Sequence, residues 1–187
     1  MTSLSLRAVP LTDREELASL VEANLPALEP GLSLLDRRFP AGEVPVDLLA
    51  LDPRRRLVLC LIGSGSNPAM LLQALEAYGW CRENGPMLGR LFPDARIDTA
   101  LPARIYLLAP RFTDRVRRTA RSLGPLSPVL VESRCLEVNG ARGVCFEPVE
   151  GKIVASDPAE EPEDAARARV QQLVSHLERL SFREAFR

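Results

Sequence analysis

The apolar positions of the chain change rhythm several times. Leu17, Leu20, Val21, Leu25 and Leu28 recur at helical spacing behind Thr12-Asp13-Arg14-Glu15, which fits an S/T-x-x-E capping box. The pattern predicts a helix that begins near Thr12 and ends before Pro26 or Pro30. Three short apolar runs at 32–39, 44–51 and 57–62 then predict strands, with Asp52-Pro53-Arg54-Arg55-Arg56 turning between the last two. Gly63-Ser64-Gly65-Ser66 leads to Asn67 and Pro68, which suit the N-cap and first position of a helix running to about Glu83. A loop holding Pro86, Pro93 and Pro102 separates it from a buried strand at 104–109 and an Arg-rich helix at 113–123, capped by Thr113 or Asp114. Strands at 129–138 and 143–149 meet through Asn139-Gly140, a strong hairpin signal.

Strands and helices alternate between 44 and 130, which predicts an α/β three-layer sandwich with a central mixed β-sheet flanked by helices. From Gly151 the character changes. Asp157, Glu160, Glu161, Glu163 and Asp164 precede a stripe of Val170, Leu173, Val174, Leu177 and Leu180. The division expected is an α/β domain over 1–150, then an acidic linker and C-terminal amphipathic helix over 151–187.

The chain has 187 residues, enough for one core without a disulfide framework or a structural metal. Its 46% hydrophobic and 26% charged residues exclude collagen, disorder and coiled coil. The longest apolar run, 57–62, is far short of the ~20 residues that span a bilayer. No signal-type apolar core opens the chain, so the expectation is a cytoplasmic protein with no membrane contact. Cys60, Cys81, Cys135 and Cys145 lie far apart and His176 is the only histidine, which argues against zinc and for buried reduced thiols. The 25 acids and 24 bases leave a net charge of −1, which argues against a strong nonspecific grip on DNA. Lys152 is the one lysine in the chain, so any chemistry that needs a lysine has a single candidate.

In order, a helix carrying Glu, then V-D-L-L-A-L-D, a short turn, L-V-L-C-L-I-G, a helix with Q-A-L-E-A-Y-G-W, and R-I-Y-L-L-A-P resemble the restriction-endonuclease-like, PD-(D/E)XK nuclease superfamily. The resemblance is closest to the NucS/EndoMS nuclease domain and covers roughly Glu15 to Val149. It implies a phosphodiester hydrolase in which two carboxylates hold Mg²⁺ and a lysine lies beside the attacking water. The second acid and the lysine stand at i and i+2 of one strand, on the face that carries the first acid.

Asp47 matches the first acid, and Glu29, or less well Glu22, the helix acid. Counting from Asp52 puts Leu61 at the second acid and Gly63 at the lysine; sliding the register by one gives Cys60 and Ile62. Neither register supplies a carboxylate or an amine. Gln73 and Glu76, three residues apart on the following helix, are the candidates for a migrated group. Asp47, Glu29, Gln73 and Glu76 are therefore either vestigial or the working residues of a divergent site, with Asp47 a metal ligand only if the site is active. Gly63-Ser64-Gly65-Ser66 lacks the third glycine of a dinucleotide loop and the Gly-Lys-Ser/Thr of a P-loop, and reads as a turn. Tyr78 and Trp80 read as core.

Arg111, Arg115 and Arg118 fall at i, i+4 and i+7, and with Arg54, Arg55 and Arg56 they are the candidate nucleic-acid contacts. The expected function is a non-cleaving nuclease-fold protein, a degenerate homologue without a cofactor, that binds nucleic acid weakly or engages a protein partner or a second copy of itself. The alternative is a divergent Mg²⁺-dependent DNA endonuclease with a migrated carboxylate.

Overall fold

A computed structural model describes residues 6–9, 13–43, 45–138 and 141–149. The expected C-terminal helix, its acidic lead, Lys152, His176 and the Asn139-Gly140 turn lie outside the described residues, as does Thr12.

The elements in chain order are β1 (Leu6–Val9), α1 (Arg14–Ala23), α2 (Leu25–Leu28), β2 (Ser33–Phe39), β3 (Val46–Leu51), β4 (Leu57–Ile62), α3 (Ala69–Glu83), α4 (Gly85–Leu91), β5 (Arg104–Ala109), α5 (Asp114–Ser122), β6 (Val129–Val138) and β7 (Ala141–Pro148). The strands form one seven-stranded mixed sheet in the order β1-β6-β5-β4-β3-β2, with β7 on the other edge of β6. The β2–β3–β4 meander is antiparallel, whereas β4, β5 and β6 run parallel through the crossovers that carry α3 and α5. Long β6 gives one edge to two strands in succession, to β5 over Val129–Glu132 and to β1 over Cys135–Val138.

Two apolar layers sandwich the sheet. On one side Leu49, Leu51, Leu59, Leu61, Ile105 and Leu107 pack under α3 and α5. On the other, Leu48, Ala50, Val58, Cys60, Ile62, Tyr106 and Leu108 pack under α1 and α2. Every residue of β3, β4 and β5 is buried, which explains why these strands read as continuous apolar runs. The three-layer sandwich is as the sequence predicts. Among the described residues no helix is long and apolar enough to cross a membrane.

Three local features differ from the sequence pattern. Asp13, not Thr12, caps α1, its carboxylate accepting the Glu15 N–H at 2.9 Å. Strand β1 has no signature of its own in the sequence, because its four residues are defined only by pairing with β6. The proline-rich loop contains α4, since Pro86 sits in the first turn, where a missing N–H costs nothing.

Candidate functional site

Asp47 lies at the start of β3. The regular β3–β4 ladder ends at the Leu48–Cys60 pair, and beyond it the Asp47 carboxylate accepts the Ile62 backbone N–H at 2.6 Å. The same carboxylate is held by Arg14 in the first turn of α1, whose Nη2 lies 2.8 Å from Oδ1 and from Oδ2. Asp47 is thus buried with one backbone donor and one guanidinium, while Arg14 stays about half exposed.

The β3–β4 register pairs Leu48 with Cys60, and continued by one residue it sets Asp47 opposite Leu61. Cys60 and Ile62 pack under α1 with Leu17 and Val21, whereas Leu61 belongs to the opposite layer under α3. A Cβ at Gly63 would lie 2.6 Å from the Met70 sulfur and 3.0 Å from the Gly65 carbonyl oxygen, so a side chain there requires Met70 to move. Burial, and then the negative charge of Asp47, push the Cys60 thiol up to about 12. Cys60 is therefore a neutral, inert thiol.

Glu29 shares that face but faces different partners. At the end of α2 it accepts Arg104 Nη1 at 2.7 Å and the Tyr106 hydroxyl. Arg104 opens β5, at the end of the sheet opposite to Asp47, and lies 3.7 Å from Asp52 and 5.2 Å from the centre of the Tyr106 ring. Asp52 in turn accepts Arg56 Nε at 3.0 Å and the backbone N–H groups of Arg54 and Arg56. Glu29, Asp52, Arg56 and Arg104 are all buried. Burial alone would favour a neutral Arg104, but the hydrogen bond to Glu29 and the nearby negative charges of Glu29 and Asp52 outweigh it and raise its pKa. Burial and the bond to Glu29 likewise raise Tyr106, so its phenol remains a donor.

Gln73 is half-buried and Glu76 exposed on α3, whose apolar face packs on the layer of Leu49, Leu59 and Leu61. Glu22 pairs with Arg37 at 3.0 Å. None of these acids is brought to Asp47. The described residues contain no group of three or more His, Cys, Asp or Glu able to hold a metal ion. The groups that hold the Asp47 carboxylate, a guanidinium and a backbone N–H, do not fit Mg²⁺, which takes oxygen ligands.

The arginine set also divides. Arg56 is fully buried against Asp52 and leaves the surface group. Arg54 and Arg55 are exposed on the turn before β4, and Arg55 donates to the Ala95 carbonyl at 3.3 Å. Arg111, Arg115 and Arg118 are exposed after β5, Arg111 and Arg115 at the Asp47 end of the sheet. Six residues of parallel strand, about 20 Å, separate the two regions along the strand direction. Arg117 is taken inward by Glu132 at 2.8 Å. Tyr78 is buried in the core, and Trp80 packs against it, edge-on to Phe39.

Sequence reasoning missed Arg14, Arg104 and Tyr106. For the last two a signal existed: an arginine opening an otherwise apolar strand, two residues before a tyrosine on the same face, needs a buried partner.

No protein-family model matches the chain, and no curated protein matches it significantly. Among solved structures it is similar to a repair endonuclease from Pyrococcus abyssi, at 17% identity and a TM-score of 0.45, over 58% of this chain and 42% of that one. It is also similar to EndoMS in a complex with double-stranded DNA, at 23% identity and a TM-score of 0.38, over 60% of this chain and 42% of that one. A protein of unknown function from Silicibacter pomeroyi matches over 95% of this chain and 91% of its own, at 15% identity and a TM-score of 0.33. The chain spans 42% of the length of each of the two nucleases.

Burial of the Cys60 thiol carries a pH prediction. Cys60, raised from 9.0 to about 12 by burial and Asp47, binds its proton more tightly in the folded state. Its stabilising contribution is full below pH 9 and is lost as pH rises toward 12. The loss is about 1.4 kcal/mol per pH unit. Urea unfolding at several pH values above 9 should show a shallower decline for Cys60→Ala than for the parent; parallel declines would refute the assignment.

Proposed function

We propose that this chain is a non-cleaving module of nuclease-like fold, resident in the cytoplasm, that contacts nucleic acid weakly through backbone phosphates at Arg111, Arg115 and Arg118. The observation that carries the reading is the setting of Asp47: its carboxylate is taken up by Arg14 and the Ile62 N–H, and the neighbouring strand Leu57–Ile62 offers neither the carboxylate nor the amine that a hydrolytic centre of this fold needs. Arginines also offset the acids that would repel a phosphate, Arg14 at Asp47 and Arg104 at Glu29. What remains to attract a phosphate is the exposed arginine face of α5 and the loop before it. Four free cysteines, three of them buried, suit a reducing compartment.

Two measurements on the full chain test the reading. Incubated with plasmid in Mg²⁺ or Mn²⁺, the protein should leave the DNA intact; nicking abolished by Asp47→Ala would establish the divergent endonuclease instead. Anisotropy titrations with labelled duplex should show affinity falling steeply with salt, since each neutralised phosphate contributes a slope of about −0.9 in log affinity against log salt. Arg115→Glu with Arg118→Glu should flatten that slope by about 2. Unchanged binding in the double variant would remove the arginine face from the reading, and no binding at any salt would replace it with a protein-interaction role.

A further inference from the structure

The exposed side of α5 is basic beyond what helix energetics ask for. Arg121 in the last turn complements the helix dipole, but Arg115 is the second residue of the helix, where the dipole disfavours a cation. Arg115, Arg118 and Arg121 are all exposed, Arg111 precedes them on the loop, and Asp114 is the one acid of the helix. Acids are grouped as sharply in another part of the chain: Asp157, Glu160, Glu161, Glu163 and Asp164, outside the described residues, stand together with no base among them. The exit of the chain from β7 brings the two groups within reach. The Val149 N–H donates to the Leu130 carbonyl at 2.9 Å, and Val149 packs on the apolar layer that holds Val116 and Ala120 of α5. The chain thus leaves the sheet on the α5 side, beside the strand into which α5 leads. α5 has 9 residues and is about 14 Å long, whereas residues 151–156 can extend over as much as about 20 Å.

We propose that the acidic segment 157–164 docks on the arginine face of α5 and competes there with nucleic acid. The inference rests on the reading of that face as the phosphate contact, and adds to it a competitor carried by the same chain. A carboxylate and a phosphate offer a guanidinium the same pair of acceptor oxygens, so one arginine cannot hold both at once. Each exposed pair is weak. Several act together, however, and the tether keeps the acids at an effective concentration on the order of millimolar. Both contacts are electrostatic and exposed, so salt weakens both.

A nitroxide at Ala159→Cys in a Cys145→Ser background reads the contact without nucleic acid, since Cys60, Cys81 and Cys135 are buried. At low salt it should broaden the amide resonances of residues 114–122 most strongly, and the broadening should fall in high salt and with Arg115→Glu/Arg118→Glu. Broadening of α5 that neither condition changes, or none at all, overturns the docking. Competition is read on the full chain by anisotropy with labelled duplex at low salt. Glu160→Gln/Glu161→Gln/Glu163→Gln should tighten binding at least about threefold more than Glu43→Gln/Glu83→Gln/Asp94→Asn, which makes the same change in net charge at exposed positions elsewhere. Equal gains in the two triple variants would reduce the effect to net charge and overturn the inference. Absence of duplex binding by every variant would instead overturn the proposed function, with the nitroxide measurement still deciding whether the acidic segment covers α5.

Discussion

Arg104→Met should destabilise the protein by about 3–5 kcal/mol, the range for breaking a buried ion pair by removing one partner. Arg104 lies between two buried acids, 2.7 Å from Glu29 and 3.7 Å from Asp52, and also donates to the Tyr106 hydroxyl at 2.6 Å. Methionine keeps the packing volume and removes every one of these interactions, leaving Glu29 charged beneath α2 with Tyr106 as its remaining donor. Asp52 keeps Arg56 and two backbone N–H groups, so the cost should fall mainly on Glu29. Urea unfolding of Arg104→Met, Glu29→Leu and the double variant separates the two: the double variant should be more stable than the sum of the singles implies, by about 1–3 kcal/mol. A single-variant cost under about 1 kcal/mol would mean that water reaches the network and screens it.

The second large effect is expected at Gly31. This residue has φ +86°, a conformation L side chains rarely adopt, and a Cβ there would lie 2.5 Å from Pro53 Cγ. Pro53 is a rigid ring in the turn between Asp52 and Arg56, so the clash cannot be relieved by a rotamer change. It would push that turn away from the segment that carries Glu29. Gly42 provides the control, since it has φ +99° and nothing within 4 Å of the point a Cβ would occupy. Gly42→Ala should therefore cost only the backbone strain, about 1–2 kcal/mol, and Gly31→Ala about 1–3 kcal/mol more. Thermal or urea unfolding of the two variants decides it; equal losses would show that the turn moves freely.

The buried strands and the helices around them were legible because burial on both faces leaves an unmistakable apolar run, as in Leu57–Ile62 and Arg104–Ala109. The same property hid the site. A strand apolar on both faces carries no alternation, so nothing in L-V-L-C-L-I says which residues lie under α1 and which under α3. Only the helices packed on either side decide that. Asp47 was recognisable from its place at the head of a strand. Its partner was not, because Arg14 lies 33 residues earlier in what reads as an ordinary capping sequence. The arginine run at 54–56 showed its composition but not that Arg56 turns inward to Asp52.

The pairing of β1 with the far half of β6 joins the beginning of the chain to its last described hairpin, Leu6 to Val138 and Val9 to Cys135. A nascent chain leaving the ribosome can assemble the β2–β3–β4 meander from neighbouring segments, but the first strand has to wait until nearly all the domain has been synthesised. Contacts this distant in sequence slow folding, because the loop must close before the pairing stabilises it. Until then the backbone donors and acceptors of 6–9 stay unpaired, which makes the opening segment the part of the newborn protein most in need of protection from other chains.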